Sequence, residues 1–388
     1  MDIEKIRAET KGCRHVLHFN NAGASLPPDG VHRAVVDHLE LERQIGGYEA
    51  AARAHQKIER FYTALAQLLH CRPQEIAYVE NATRAWDMAF YSLPFQPGDR
   101  ILTTQVEYGS NYLAFLQAAK RYQVKIDVVP NDDSGQISVS ALKDMMDKDV
   151  KLIAVTHVPT QSGLVNPARE IGQIAKHHSV LYLLDACQSV GQMPVDVQTI
   201  GCDMLSGTGR KYLRGPRGTG FLYVRESLLK DLIPPFIDLR SATWVDENRF
   251  ELQPDARRFE AWESYVAGRI GLATAVDYAL NLGISAIFDR VQYLADLLRE
   301  RLAAISGIEM QDPGRKKCGI VTFTKADETP TEIQRRLSTR HINISVSPAR
   351  YARLDLDPRG LTEVARASVH YFNTASEINR FCEALESL

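Results

Sequence analysis

The stretch Ser206–Val224, "SGTGRKYLRGPRGTGFLYV", decides how the rest of the chain is read. One lysine, Lys211, lies among three arginines and a crowd of glycines, and an apolar run follows at once. The segment before it, "CDMLSGTG", is a short apolar strand that turns into glycine. Lys211 therefore stands at a strand end, beside backbone that can approach a ligand tightly. Taken alone it reads as a solvated basic turn. It is not a P-loop, because GxxxxGK[ST] fails: Arg210 precedes Lys211 and Tyr212 follows it.

Working outward, short β-branched runs alternate with helical patterns through the first two thirds. "EIAYVE", "RILTTQ", "KIDVVP", "VKLIAVTHV" and "VLYLLDAC" are each bounded by turn residues, and helix-like segments separate them. Such alternation predicts an α/β fold whose mostly parallel sheet is covered on both faces, with ligands gathered at the carboxyl ends of the strands. The last third changes character. Two long helical patterns, "FEAWESYVAGRIGLATAVDYAL" and "ISAIFDRVQYLADLLRERLAAI", precede shorter strands and helices, which predicts a small C-terminal α+β domain. The expected division is residues 15–270 for the large domain and 271–388, with 1–14, for the small one.

Three further loops join Lys211. In "LYLLDACQSVG" Asp185 leaves a fully apolar strand, where an acid is paired, caps a helix or has a function. Gln188 lies one helical turn later. In "YVENATRAWDM" a strand runs into Ala82 and Thr83 at a helix start, whose free N–H groups suit a phosphate. In "TTQVEYGSNY" Tyr108 follows a strand and offers a face to a flat ring. Each is weak alone. Together they supply an amine, a carboxylate, a phosphate cradle and an aromatic plate, which is what pyridoxal 5'-phosphate requires.

With those residues in view, the chain resembles class V aminotransferases and cysteine desulfurases, fold-type-I pyridoxal-phosphate enzymes whose large domain carries a seven-stranded sheet. The likeness runs from "HFNNAGASLPP" through "NATRAW", "VEYGSN", "THVPTQSGLVNPAREI" and "DACQSVGQMPVDVQTIGCDMLSGTGRKYLRGPRGTGFLYV" to "RASVHYFNT". The resemblance implies roles. Lys211 would form the Schiff base and shuttle a proton, and Asp185 would pair with the ring nitrogen. Gln188 would bind the ring hydroxyl. Ala82, Thr83 and Thr208 would hold the phosphate, with Arg210 and Thr160 beside the cofactor. Tyr108 stands where the family usually has a ring-stacking histidine. Arg366 would bind the substrate carboxylate, and Asn21, Ala22 and Gly23 would line the substrate side. Arg210, with Arg214 or Arg217, is expected to depress the Lys211 pKa by like-charge repulsion.

The chain also departs from the family. Cysteine desulfurases carry a mobile nucleophilic cysteine before the "RaS" strand, but "NISVSPARYARLDLDPRGLTEVARAS" has none. It offers Arg350 and Arg353 instead, which suggests a substrate with an extra anionic group. "FEAWES" replaces a Gly-Thr that in many members reaches the partner subunit's phosphate. "GTGRKYLRGPRGTGFLYV" and "RRFEAWE" are similar to the ergothioneine-pathway C–S lyases. The expected function is therefore β-elimination from a cysteine-derived thioether or sulfoxide, giving pyruvate and ammonia, with Lys211 and Tyr108 as the catalytic groups. An aminotransferase or an isopenicillin-N-epimerase-like racemase shares the same cofactor shell. A non-catalytic nucleotide-binding α/β protein is the remote alternative.

Composition sets the remaining bounds. The 388 residues carry a net charge of −2, so no basic field argues for nucleic acid or an anionic membrane surface. The start, "MDIEKIRAETKGC", is not a secretory signal, and no segment approaches the roughly 20 apolar residues of a membrane span. Six scattered cysteines form no CxxC pair and read as reduced. The expectation is a cytoplasmic homodimer that binds a small amino-acid substrate and no metal.

Overall fold

The structure, a computed structural model, describes residues 1–388. After a short N-terminal strand, β1 (Leu17–His18), come β2 (Ile76–Val79), β3 (Arg100–Thr104), β4 (Lys125–Val129), β5 (Val150–Thr156), β6 (Leu181–Asp185), β7 (Met204–Thr208) and β8 (Gly220–Val224). Strands β2 to β8 form one seven-stranded sheet in the order β2-β8-β7-β6-β5-β3-β4. β8 runs antiparallel to both neighbours and the remaining strands run parallel. β6 reads Leu-Tyr-Leu-Leu-Asp because it is buried on both faces and has no polar side to alternate.

The two faces divide by residue parity. Ile76, Tyr78, Ile153, Leu184 and Phe221 point into one core with helices His55–Leu69 and Val266–Leu282. Ala77, Val79, Ala154, Leu183 and Leu222 point into the other with Trp86, Phe90 and Phe115 from helices Ala82–Phe90 and Gly109–Tyr122. The parallel strands all end at one edge of the sheet, so the four loops singled out in the sequence meet there.

A hairpin of β9 (Ala242–Asp246) and β10 (Arg249–Leu252) projects beyond this layer and lies almost wholly in solvent. The C-terminal unit holds β11 (Ile308–Met310), β12 (Ile320–Lys325), β13 (Ile342–Asn343), β14 (Ser345–Pro348) and β15 (Glu363–Ser368). Four of these form an antiparallel sheet in the order β11-β12-β15-β14, and β13 pairs with β1 instead.

Packing moves both expected domain boundaries. Leu17 and Phe19 belong to the C-terminal core with Ile6, so the N-terminal segment leaves that unit only after residue 19, not 14. Helix Val266–Leu282 lies on helices Asp29–Ile45 and His55–Leu69, which carries the large unit to Gly283, past 270. The helix also starts later than its apolar pattern predicts. Residues 260–265 are not helical, because the Glu260 carboxylate is drawn inward to accept from Tyr62 Oη, the Tyr78 amide and Arg240. No single helix is long and apolar enough to cross a membrane.

Candidate active site

A cavity of about 460 Å³ opens at the carboxyl edge of the sheet. It is lined by Lys211, Asp185, Gln188, Ala82, Thr83, Tyr108, Thr160, Thr208 and Arg210, so nine predicted positions converge on it. Each sits just past a strand: 82 and 83 after β2, 108 after β3, 160 after β5, 185 and 188 at β6, and 208 to 211 at β7.

At the phosphate end, helix Ala82–Phe90 begins with Asn81 as its N-cap, whose side chain accepts from the Arg84 amide. The first amides of the helix stay free to meet an anion. Gly220 makes the approach of β8 possible, since a Cβ there would stand 2.7 Å from the Asn81 carbonyl carbon. Arg210 and Arg217 both line this cavity, and neither makes an ion pair within the chain.

At the ring end, each Asp185 oxygen accepts one protein donor: the Cys187 amide on Oδ1 and Asn111 Nδ2 on Oδ2, both at 2.9 Å. Burial raises the Asp185 carboxyl. Gln188 Nε2 donates to the Ala22 carbonyl and to Thr160 Oγ1, each at 3.1 Å, while its Oε1 is buried without a partner. That orphaned acceptor matches a ring hydroxyl. With the buried carboxylate, the aromatic plate and the free helix amides, these residues fit pyridoxal phosphate.

Lys211 is buried and its pKa is lowered, first by desolvation and only then by the charge of Arg210. The expected cause, like-charge repulsion, is thus secondary. Arg214 has no part in it. It turns away in a left-handed backbone conformation (φ 61°) and donates to the Leu26 carbonyl, Tyr371 Oη and Thr10 Oγ1.

The predicted substrate side is only partly assembled in the cavity. Arg366 lies behind Thr160, donating to its carbonyl at 3.0 Å and to its hydroxyl, and its Nε is buried without a partner. Burial lowers the guanidinium to about 10. Asn21, Ala22 and Gly23 do not line the cavity. Asn21 brackets β15 through the Ser368 carbonyl, and Ala22 reaches the site only as the acceptor for Gln188. Arg350 is exposed and stacks 4.9 Å above Tyr351, outside the cavity.

Sequence reasoning missed three wall residues, Asn111, Thr156 and Cys187, and one buried residue behind the wall, Glu107. Glu107, Asn111 and Thr156 form a buried polar cluster behind Asp185, and Cys187 contacts Lys211. Glu107 and Asn111 lie on either side of Tyr108 in "VEYGSN", three and seven residues past the end of β3.

This combination of sheet, helix start, buried carboxylate and desolvated amine defines a pyridoxal-phosphate enzyme. The chain belongs to the class-V aminotransferase family, whose profile matches residues 16–381. It is 30% identical to a probable cysteine desulfurase of Methanothermobacter thermautotrophicus, over 100% of this chain and 98% of that protein. It superposes on the apo cysteine desulfurase of Thermococcus onnurineus NA1 with a TM-score of 0.93 at 27% identity, covering 99% and 97% of the two chains. A cystine C–S lyase, C-DES, in complex with cysteine persulfide shares the fold with a TM-score of 0.89 at 22% identity, covering 98% and 99%.

Proposed function

We propose that this enzyme is a C–S lyase acting on a cysteine-derived thioether or sulfoxide. It breaks the Cβ–S bond by β-elimination and, with one water, gives pyruvate, ammonia and a thiol or sulfenic acid. The observation that carries this reading is the segment Asn343–Ser368, where desulfurases keep a mobile cysteine. It holds none, and it is folded down rather than free. Asp355 within it is buried and accepts from Gln161 Nε2 at 3.1 Å and from Arg359. Cys187 is the sole cysteine lining the cavity, and burial pushes its thiol pKa up, which makes it a poor thiolate nucleophile.

Bound pyridoxal phosphate supplies the electron sink that stabilises negative charge at the substrate Cα. The chain's own residues do the rest. Arg366, buried behind Thr160, holds that residue at the cavity wall through its carbonyl and hydroxyl. Lys211, desolvated and so more readily neutral, takes the Cα proton. Tyr108, on the cavity wall, protonates the departing sulfur. The Tyr108 loop is itself packed against the C-terminal unit, since the Tyr351 carbonyl would stand only 2.8 Å from a Cβ at Gly109.

The desulfurase names of the relatives and the place of Cys187 beside Lys211 favour one second reading, persulfide formation within the pocket. Products separate the two. Elimination yields pyruvate, whereas desulfuration of cysteine yields alanine. Incubation with S-alkylcysteine, its sulfoxide and cysteine should give pyruvate from the first two. Lys211→Ala should lose the visible cofactor band and lower turnover by about 10²-fold or more. Alanine without pyruvate would overturn the lyase.

A further inference from the structure

Behind the cofactor pocket lies a second buried carboxylate to which no role attaches so far. Glu107 is only 4% exposed, and five donors from three elements converge on it. Its Oε1 accepts from the Tyr108 amide at 3.0 Å, from Asn111 Nδ2 at 2.9 Å and from Thr156 Oγ1. Its Oε2 accepts from the Thr156 amide at 2.9 Å and from Thr103 Oγ1 at 3.2 Å. No cation neutralises it. Burial raises its carboxyl to about 7, while the hydrogen bonds pull the other way.

Asn111 makes this cluster more than a helix-start motif. The same Nδ2 that donates to Glu107 also donates to Asp185 Oδ2, at 2.9 Å in each case. An amide nitrogen has two hydrogens and both are used. The orientation of the amide follows, because its oxygen facing two carboxylates would leave three acceptors in contact with no donor. Glu107 thus spans three neighbouring strand ends. Thr103 lies on β3, Thr156 ends β5, and Asp185 ends β6.

We propose that Glu107 is a positioning residue of the cofactor site. Through Asn111 it holds Asp185 Oδ2 where the ring nitrogen must meet it, and through the Tyr108 amide it sets the aromatic plate against the same ring. One buried carboxylate then registers the edge and the face of the cofactor together. Oε1 accepts from Asn111 whether or not Oε2 carries a proton, so the role does not depend on the ionisation of Glu107. Nor does it depend on which substrate bond is cleaved.

The test is reconstitution of stripped enzyme with pyridoxal phosphate, read as cofactor Kd and as the visible circular dichroism of the bound ring. Glu107→Ala and Asn111→Ala should each raise the Kd about tenfold, the expected scale for a lost hydrogen bond to a charged group. The dichroic band should change in both. Because the two residues act along one path, the double variant should be no worse than the weaker-binding single one. A Kd and dichroic band unchanged in Glu107→Ala, with only its thermal stability reduced, would overturn the proposal. So would effects that multiply in the double variant. Should Glu107→Ala fail to fold, Asn111→Ala still decides, since it leaves Glu107 with its other four donors, and an unchanged Kd there would refute the link.

Discussion

His157 and Glu107, on adjoining strand ends, respond to pH with opposite sign. Burial pushes His157 down to about 4 from its usual 6.5. As pH falls through that interval the unfolded chain binds a proton that the folded chain refuses, so this contribution to stability is lost on acidification. Glu107 is raised to about 7 from 4.5, so the folded chain holds a proton that the unfolded chain releases, and its contribution is lost as pH rises. The two offset each other in the parent. His157→Gln removes only the first. Its stability relative to the parent should therefore improve by about 2 kcal/mol between pH 7.5 and pH 5, measured by urea unfolding. A difference that stays flat between those pH values would refute the burial argument. At this scale Lys211 and Asp185 were legible in sequence, because an amine among glycines and an acid leaving an apolar strand are unusual. Glu107 was not, because its partners Thr103, Asn111 and Thr156 come from separate elements.

At the scale of elements, the segment Ala349–Leu361 differs most from what composition suggests. Its arginines read as an open substrate loop, yet Leu356 is fully buried and Ala349, Ala352 and Val364 pack round it. Asp355 is the tether, linked to Gln161, on the loop after β5, and to Arg359. Asp355→Ala should remove this acceptor from the Gln161 amide, leave Arg359 only its bonds to Gln311, and cost about 1–3 kcal/mol. Hydrogen exchange across 349–361 should accelerate while the β5 and β6 amides stay protected. Uniform acceleration would mean that the segment is not a separate unit. Strands β2 to β8 were legible because continuous apolar runs bounded by turn residues leave few alternatives. The late start of the long helix was not, because the buried Glu260 carboxylate, held by Tyr62, the Tyr78 amide and Arg240, overrides an apolar periodicity.

The whole chain leaves a cluster of large apolar side chains uncovered beside the phosphate end of the cavity. Phe236, Leu239, Trp244 and Trp262 are 66%, 68%, 70% and 58% exposed. They lie in or near the projecting hairpin, and Arg84 of the helix that starts the phosphate cradle sits 5.4 Å over the Phe236 ring. Exposed patches of this kind mark interaction surfaces. Our reading is a homodimer closing over the cradle. Leu239→Glu with Trp244→Glu should shift sedimentation toward a monomer and weaken cofactor retention. A parent that sediments as a monomer at micromolar concentration would contradict it.

The sequence by itself determined the class of fold and the cofactor, and it singled out Lys211 and Asp185, which the structure brings to one cavity. Strand periodicity, glycine placement and a lysine–aspartate spacing are local properties, and local physics writes them directly into the chain. Only the tertiary structure decided how the site is held. It placed Asn111 between two carboxylates, turned Arg214 away from Lys211, set Arg366 behind Thr160 and left Arg350 outside the cavity. Each of those outcomes depends on which distant groups satisfy a buried donor or acceptor, and that choice exists only after the strands have been brought side by side.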